Sequence, residues 1–486
     1  MELFGDVAFL ARLQFTLIVA FHFVFVPLSI GIGLITAIAE TRAYRSGLPE
    51  DADAARFWVK LFTTTFVIGV ASGITMEFSF GTNWADYSRF VGDIFGAPLA
   101  AEALFAFFLE SVFLGVLLFG RGKVSPRFYC ISAWLVWFGS CLSALWILIA
   151  NSWMQTPAGA ELAADGSKAV LTDFFAAAFN PTTGLRYFHV ITAALVMGGL
   201  VALSIAAYHY LKGKNVDFAK KTMKTGIVVA LVATCALFVS AHSTAVGVWE
   251  QQPTKLAAME GQYEDEVPPL YFFGWVDEQN EEVTGLGLPG FTSFLATFTF
   301  DTVYPGLNSL AETEQYGDLD TSELPVNAIF QSYHLMVAVS GILLLLIVIA
   351  IIAVKTGKIQ QWKWFQKLLV IAPIFPLAAI EAGWFTAELG RQPWVVYPSA
   401  NAPDGIVLLT NEAVSKSVSA PELLLTIVLF CVIYLLLFVA WGRLAAGIIK
   451  AGPDAMKGDD LNIAPLVDKI SGDVARRVAI EAEDGE

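Results

Sequence analysis

The chain is poor in residues that bind metals and cofactors. It contains five histidines and four cysteines in 486 residues. The cysteines all lie within apolar segments and none has a CxxC or CxxCH spacing; they are Cys130, Cys141, Cys235 and Cys431. We interpret them as packing residues. Their arrangement excludes covalent haem attachment and cysteine-ligated iron–sulfur clusters.

Charged residues are also scarce, at 15% against 56% hydrophobic residues, and the mean hydropathy is +0.63. This composition excludes a soluble domain. Several apolar runs are long enough to cross a bilayer as helices. We predict nine spans, at residues 10–38, 57–80, 96–120, 128–151, 187–210, 223–247, 328–354, 364–389 and 421–446. The expected fold class is an all-α integral membrane protein with nine transmembrane helices.

A basic stretch is missing before the first span, where Glu2 and Asp6 stand instead. This start, together with the length of the apolar run, argues against a cleavable signal peptide. Lys and Arg are rare in the connections after even-numbered spans and common after odd-numbered ones, as between Lys212 and Lys224. Because cytoplasmic loops carry the positive excess, we predict the N-terminus outside and the C-terminus inside.

The net charge of −15 comes largely from a long outer loop and from the C-terminal tail. An acidic outer loop argues against nucleic acid or anionic lipid as its partner. The loop is nevertheless rich in aromatic residues, so we expect an ordered, binding loop and not a disordered linker. The predicted organisation is 1–247, helices 1–6; 248–327, outer loop; 328–446, helices 7–9; and 447–486, cytoplasmic acidic tail.

The most informative motif lies near the end of the eighth span. Trp384, Glu388 and Arg391 are spaced i, i+4, i+7 and therefore share one helix face. Ionisable groups inside a membrane span are costly and usually mark a functional site. A snorkelling anchor, with Glu388 simply paired to Arg391, explains the same residues. The motif alone leaves both interpretations open.

Two of the histidines in the predicted spans follow an arginine closely in the sequence. His22 follows Arg12 by ten residues, or about 15 Å along the helix axis. His189 follows Arg186 at the outer start of the fifth span. A single membrane histidine is more often a hydrogen-bonded packing residue than a metal ligand, so neither residue alone indicates a site.

The third predicted span carries Glu102 and Glu110 in an otherwise apolar run, with no basic residue one turn away from either. Their spacing puts them about 12 Å apart and within roughly 80° of one face. Two unpaired carboxylates on one buried face favour proton or ion conduction, or ligation, over a structural role.

The candidate residues also share one depth in the predicted orientation. The outer half of the bilayer holds residues from five helices: His22, His189, Glu102, Met336 and, near the outer end of its helix, Glu388. Glu110 lies deeper, toward the cytoplasm. Scattered structural residues would not share a depth. His/Met and His/Glu are ligand sets typical of haem, and other metal signatures are missing from the sequence.

The chain resembles subunit I of the cytochrome bd-type quinol oxidases over about residues 5–446. The motifs that carry the resemblance are Arg12-Leu-Gln14, His22-Phe-x-Phe-Val-Pro27, Gly81-Thr-Asn-Trp84, Gly92-Asp-x-Phe-Gly-x-Pro98, Gln252-Pro-x-Lys255-Leu-Ala-Ala-x-Glu260 and Gly383-Trp384-x-x-x-Glu388-x-Gly-Arg391-Gln-Pro-Trp394. The outer loop has the length of the short form of this family's quinol loop.

The resemblance implies two haems b and one haem d. By position, His189 and Met336 resemble the axial ligands of the low-spin haem b. His22 and Glu388 resemble the ligands of two high-spin haems, and which of them carries haem d stays open. The same resemblance makes Glu102 a neighbour or ligand of a high-spin haem. It makes further residues cofactor-binding: Trp384, Arg12 and Arg391, the last as a propionate partner.

The family's reaction is quinol oxidation at the outer face coupled to reduction of dioxygen to water. Lys255 and Glu260 resemble the quinol-site pair, and Glu110 resembles part of a proton route from the cytoplasm toward Glu102. The implied enzyme generates a proton motive force without pumping, in the bacterial cytoplasmic membrane. Implied partners are a second membrane subunit of similar size and a single-helix small subunit, with quinol and dioxygen as substrates and no nucleic acid.

One position departs from the family pattern. His334 stands two residues before Met336, where a basic residue, often Arg, is expected. It could pair with a propionate or compete as a ligand. Two other functions remain open from the sequence: a haem-free secondary transporter that uses intramembrane carboxylates, and a cyanide-insensitive relative with b haems only. The sequence does not distinguish ubiquinol from menaquinol.

Overall fold

The computed structural model describes residues 6–317, 319–399, 402–403 and 405–456. Its elements in chain order are α1 (Val7–Ser46), α2 (Pro49–Thr82), α3 (Ala85–Ala101), a π-helical segment (Glu102–Phe107), α4 (Phe108–Phe119), α5 (Pro126–Gln155), β1 (Ala160–Leu162), β2 (Ala169–Leu171), α6 (Phe174–Ala178), α7 (Thr183–Lys212), α8 (Val216–Gln251), α9 (Pro253–Glu260), β3 (Leu270–Asp277), β4 (Glu282–Leu288), α10 (Phe291–Thr297), α11 (Leu307–Ala311), α12 (Val326–Lys355), α13 (Lys363–Ile371), α14 (Ile374–Leu389), β5 (Trp394–Val396), β6 (Leu408–Leu409), α15 (Thr410–Ala413) and α16 (Ala420–Ala451).

The predicted spans are confirmed. Within the described residues, nine helical stretches are long and apolar enough to cross a membrane. Eight predicted ranges lie inside the observed helices, and 96–120 runs one residue past the end of α4. The helices are longer than the predictions because they continue beyond the apolar core. The 40 residues of α1 extend about 60 Å, against roughly 30 Å of hydrocarbon.

Two spans are interrupted. The third changes from α-helix to π-helix at Glu102–Phe107 and back to α-helix in α4. The eighth breaks between α13 and α14, at Ala372 and Pro373. Proline lacks the N–H that would continue the hydrogen-bond ladder, which explains the second interruption. No sequence rule predicted the first.

Helix starts follow local chemistry. The Asp6 carboxylate accepts hydrogen bonds from the N–H groups of Ala8 and Phe9 and caps α1. Ser419 and Glu422 form a capping box at the start of α16. These side chains satisfy N–H groups that have no partner inside the helix, and so they fix where each span begins.

The bundle is built around α1 and α7. α1 packs against α2, α5 and α7, and α7 packs along α8. The two largest apolar clusters lie between α1, α2 and α5 and between α7, α8 and α12. Cys141 is buried, Cys130 is partly buried, and Cys235 and Cys431 are exposed; none of the four forms a disulfide bond. Packing therefore explains Cys141 but not the two exposed thiols.

The long connection between α8 and α12 is ordered, as its aromatic content predicts. It has its own apolar cluster, which includes Leu256, Tyr304 and Leu307. Its β3–β4 hairpin is antiparallel and packs one face on α12, where Phe330 lies against Gly274. Residues 457–486 of the predicted tail lie outside the described part of the chain.

Candidate functional site

Lys255 is a buried cation at the junction of the outer loop and the bundle. It lies on α9 and is 2% exposed. Its Nζ donates hydrogen bonds to Oε1 of Gln155 and, at 2.9 Å, to Oε1 of Gln252. Its methylene stem crosses Gly390, where a Cβ would stand 2.7 Å from Lys255 Cγ. Only glycine leaves room for this contact, so α9 is seated directly on the end of α14.

The electrostatic surroundings make Lys255 an unusual lysine. Burial lowers its pKa well below the ordinary value, and the positive charges of Arg186 and Arg391 lower it further. Glu388 opposes this shift. A lysine whose ammonium form is disfavoured exchanges its proton more readily than a surface lysine, which suits a group that binds a hydroxyl-bearing ligand.

A chain of amides connects Lys255 to three spans. Gln252 Nε2 donates to the carbonyl oxygen and to Oε1 of Gln155, at 3.2 and 2.8 Å. Arg186 Nη2 donates to Gln252 Oε1 at 3.3 Å, and Gln155 Nε2 donates to the Ala387 carbonyl at 3.3 Å. Sequence reasoning assigned no role to Gln155, Arg186 or Gln252. The position of Arg186, one turn before His189, was the available signal.

The motif at the C-terminal end of α14 does not snorkel; Glu388 lies in the last turn of the helix and Arg391 just after it. Arg391 is 4% exposed. Its Nη2 forms an ion pair with Glu388 Oε2, and Asn151 Nδ2 donates to Glu388 Oε1 at 3.0 Å. Among the described residues, the Nε and Nη1 atoms of Arg391 have no acceptor. A buried guanidinium with unpartnered N–H groups needs a further hydrogen-bond acceptor, which favours the functional interpretation of the motif.

Glu260 occupies the other end of α9 and is 2% exposed. Its Oε1 accepts a hydrogen bond from Thr292 Oγ1 at 3.1 Å. The Tyr333 side chain also donates a hydrogen bond to this carboxylate. Burial raises the pKa of Glu260 to about 8, against the hydrogen bonds from Thr292 and Tyr333, which lower it. A carboxyl with a pKa near the working pH can both accept and release a proton.

His334 faces Glu260. Its Nδ1 lies 2.9 Å from the Phe330 carbonyl oxygen, which can only accept, so Nδ1 carries the proton in that contact. The Nε2 atom is 3.9 Å from Glu260 Oε2, and His334 is 5% exposed. Sequence reasoning connected His334 to a haem propionate or to the iron. The structure places its imidazole beside the Glu260 carboxylate.

His22 and His189 are each oriented by a serine. His22 Nδ1 lies 3.0 Å from Ser72 Oγ, and His189 Nδ1 lies 3.4 Å from Ser240 Oγ. Both serine hydroxyls donate to carbonyl oxygens of their own helix, so they accept from the histidines. Nδ1 is therefore the protonated nitrogen, and Nε2 keeps a lone pair for a metal.

Met336 lies against the motif helix. A Cβ at Gly383 would stand 2.8 Å from Met336 Sδ, so the thioether sits directly over this glycine. Trp384, the next residue, is half-buried with its ring against Phe385. Arg12 is half-buried on α1.

The carboxylates of the third span both face α5. Ser143 Oγ donates to Glu102 Oε1 at 2.8 Å. Glu110 is 4% exposed and packs on Gly139, where a Cβ would stand 2.6 Å from Glu110 Cγ. Gly139 and Ser143 are one helical turn apart, so the two carboxylates share a face as predicted.

A further buried carboxylate escaped the sequence analysis. Glu381 lies on α14, seven residues before Glu388 and hence on the same face. Both of its carboxylate oxygens are buried, and no donor from the described residues contacts them. Its position in an apolar helix was a sufficient signal.

The donor set fits haem and not a bare metal ion. In the described ranges, no three side chains of His, Cys, Asp or Glu converge on one point. His22, His189, Met336 and Glu388 lie on four different spans. Single ligands suit a metal that brings four equatorial ligands in its own macrocycle. The unpartnered N–H groups of Arg391 suit the propionates of such a group.

Comparison with known proteins identifies the family. The profile described as "Cytochrome bd terminal oxidase subunit I" matches residues 10–453. The chain belongs to this family. It is 35% identical to the "Cytochrome bd-II ubiquinol oxidase subunit 1" of Escherichia coli, over 93% of this chain and 98% of that one. It is 38% identical to the "Cytochrome bd ubiquinol oxidase subunit 1" of Bacillus subtilis, over 88% and 90%.

The fold agrees with a solved structure of the family. "The structure of bd oxidase from Geobacillus thermodenitrificans" matches with a TM-score of 0.81 and 28% identity, over 92% of this chain and 99% of that chain. The resemblance inferred from the motifs is thereby confirmed, and the protein is a multi-pass membrane oxidoreductase subunit. Membership of the bd oxidase family favours the oxidase hypothesis over the haem-free transporter.

Proposed function

We propose that this chain is the haem-bearing subunit of a respiratory oxidase that oxidises quinol at the outer membrane face and reduces dioxygen to water. One observation carries the proposal: Lys255 of the outer loop is buried against Gly390 at the end of α14, between Glu388 and Arg391 in the chain. A polar site for quinol and a polar site for a haem are therefore adjacent.

The proposed cofactors are two haems b, one low-spin and one high-spin, and one haem d. When bound, they supply one-electron transfer and an open coordination position for dioxygen. The proposed iron ligands are His189 and Met336 for the low-spin haem, His22 and Glu388 for the high-spin haems, with Glu102 as an additional high-spin ligand or neighbour. Arg391 donates its free N–H groups to a propionate, and Trp384, Arg12 and His334 line the cofactor sites.

Quinol oxidation requires one group to hold the head group and another to take its protons. Lys255 gives up its hydrogen bond to the side-chain amide of Gln155 or Gln252 and donates to a quinol oxygen instead. Glu260, whose carboxylate is held by Thr292 and Tyr333, accepts a hydroxyl proton. The raised pKa of Glu260 lets it release the proton again near neutral pH.

Protons for water formation come from the opposite side of the membrane. We propose that Glu110 passes them toward Glu102, since both carboxylates face α5 along one route. With the N-terminus outside, quinol protons leave on the outer side and substrate protons enter from the cytoplasm. The reaction then separates charge without a pump.

Glu110→Gln tests the proton route. We expect quinol oxidase turnover to fall by about 100-fold or more, because the amide cannot carry a proton, with an unchanged haem spectrum. The matched control is Glu412→Gln, an exposed carboxylate on α15. Full turnover in Glu110→Gln would remove this residue from the route.

The proposed partners are a second, similarly sized membrane subunit and a single-helix subunit, in the bacterial cytoplasmic membrane. The deciding experiment is a reduced-minus-oxidised spectrum of the assembled complex. A long-wavelength chlorin band with b-haem bands supports the haem d oxidase. Bands of b haems alone favour the cyanide-insensitive relative, and a folded complex without haem signals would overturn the oxidase proposal.

A further inference from the structure

A basic groove lies at the membrane end opposite the outer loop. It is open, has a volume of about 450 Å³, and is lined by Ile38, Thr41, Arg42, Arg45, Ser46 and Trp134. The last turns of α1 form one wall and the first turns of α5 form the other. No step of the proposed oxidase reaction uses these residues.

The arginines of the groove stand beyond the hydrocarbon layer. α1 is about 60 Å long, roughly twice the bilayer core, so its C-terminal turns reach head-group level. Arg42 is fixed there, because its Nη2 donates to Thr225 Oγ1 at 2.8 Å. Arg45 is exposed. Two guanidinium groups one turn apart form a site for a phosphate oxyanion.

Two carboxylates lie near the groove, and each is paired with a cation outside it. Glu40 is paired with Arg121 on another side of α1. Asp51 accepts from Lys221 Nζ at 2.7 Å, and its charge also acts on Arg42. Among the described residues, no carboxylate forms an ion pair with Arg42 or Arg45. The groove therefore keeps a net positive charge for a ligand.

The groove continues into an apolar stripe toward the membrane interior. On α5, Ile131, Trp134 and Phe138 are exposed by 43%, 36% and 53%. They are spaced i, i+3, i+7 and therefore form one face. Trp134 Nε1 donates to Thr41 Oγ1 at 2.8 Å, which fixes the indole at the groove wall. Indole rings are common at head-group level.

We propose that this groove binds one anionic phospholipid, with its phosphodiester on Arg42 and Arg45 and an acyl chain along Trp134 and Phe138. A free phosphate offers the same oxyanion chemistry but has no apolar group that could contact the stripe. The stripe and the position of the groove at the membrane surface therefore favour a lipid. The site lies on the face predicted to be cytoplasmic, far from the acidic outer loop.

The test is native mass spectrometry of the delipidated holo-complex, titrated with phosphatidylglycerol, phosphatidylcholine or inorganic phosphate. We expect one phosphatidylglycerol bound more tightly than phosphatidylcholine. Arg42→Gln and Arg45→Gln should each weaken phosphatidylglycerol binding roughly fivefold. The double substitution should weaken it about 30-fold. Arg127→Gln is the matched control, because Arg127 is exposed at the start of α5 but does not line the groove.

Two further measurements keep the proposal falsifiable. The charge-preserving pair Arg42→Lys and Arg45→Lys should retain most of the phosphatidylglycerol binding, and an unchanged haem spectrum shows that each variant is folded. Phe138→Ala should weaken the binding of phosphatidylglycerol but not the binding of inorganic phosphate. Equal binding of the two lipids, equal loss in the Arg127 control, or displacement of the lipid by low millimolar phosphate would overturn the proposal.

Discussion

Removing the Thr292 hydroxyl should move the pH dependence of quinol oxidation to higher pH. Thr292 Oγ1 donates to Glu260 Oε1 at 3.1 Å and lies 3.2 Å from the Pro269 carbonyl oxygen, so the two acceptors share one hydrogen. A hydrogen bond to a charged group contributes about 1.5–3 kcal/mol. Because this hydrogen is shared with the Pro269 carbonyl, the contribution of the Thr292–Glu260 hydrogen bond lies near the lower limit of that range. Because 1.36 kcal/mol corresponds to about one pKa unit, Thr292→Val should raise the pKa of Glu260 by about one unit.

The sign of the effect follows from which form the hydroxyl stabilises. The donor favours the carboxylate, so its loss favours the protonated acid, which cannot accept a quinol proton. The pKa of Glu260, already raised to about 8 by burial, should rise to roughly 9. Near pH 7.5 the fraction of carboxylate, and with it kcat/KM for a short-chain quinol, should fall by about eightfold. At pH values above both pKa values the variant and the parent should converge.

The assay is oxygen consumption against pH, with the haem spectrum recorded for every preparation. Thr297→Val is the matched control: it removes a hydroxyl from the same short helix, but this hydroxyl donates to the Ser293 carbonyl oxygen at 2.9 Å. Glu260→Gln should abolish the pH-dependent limb altogether. An unshifted profile in Thr292→Val, or a shift to lower pH, would refute the assignment of Glu260 as proton acceptor.

Two further substitutions test the neighbouring contacts. Gly383→Ala should displace Met336 Sδ, which a Cβ would approach to 2.8 Å, and so alter the low-spin haem band; Gly341→Ala, with open space around its Cβ position, should leave the band unchanged. Lys255→Met should raise KM for quinol by about tenfold through loss of the hydrogen bond to the head group. Lys168→Met, an exposed lysine near Asp93, should leave KM unchanged, and a normal KM in Lys255→Met would exclude this lysine from quinol binding.

The sequence predicts the membrane spans because their signal is local. An apolar run of bilayer length must be a helix, since no water can satisfy its backbone. Breaks and changes of helix type within a span leave a weaker signal in the sequence. Pro373 marks the break between α13 and α14, whereas nothing in the residues from Glu102 to Phe107 indicates a π-helix.

The candidate site was predicted unevenly for a similar reason. Glu388 and Arg391 are three residues apart, so their short separation in the chain already predicts a contact, although α14 ends between them. Lys255 and Gln155 are separated by 100 residues, and Glu260 and Thr292 by 32. Such pairs arise from the packing of separate helices. The sequence could suggest that Lys255 and Glu260 matter, but not which amide or hydroxyl sets their chemistry.

The π-helical segment has a consequence for how this subunit can evolve. A π-helix is an α-helix that has taken in an extra residue, while the helices on both sides keep their orientation. Deleting one residue between Glu102 and Glu110 would restore a regular α-helix with the two carboxylates seven residues apart, within about 20° of one face. Both side chains would still face α5. In a regular helix the same deletion would turn everything that follows by about 100°. This span therefore has one point where the chain can lose a residue without separating the two carboxylates.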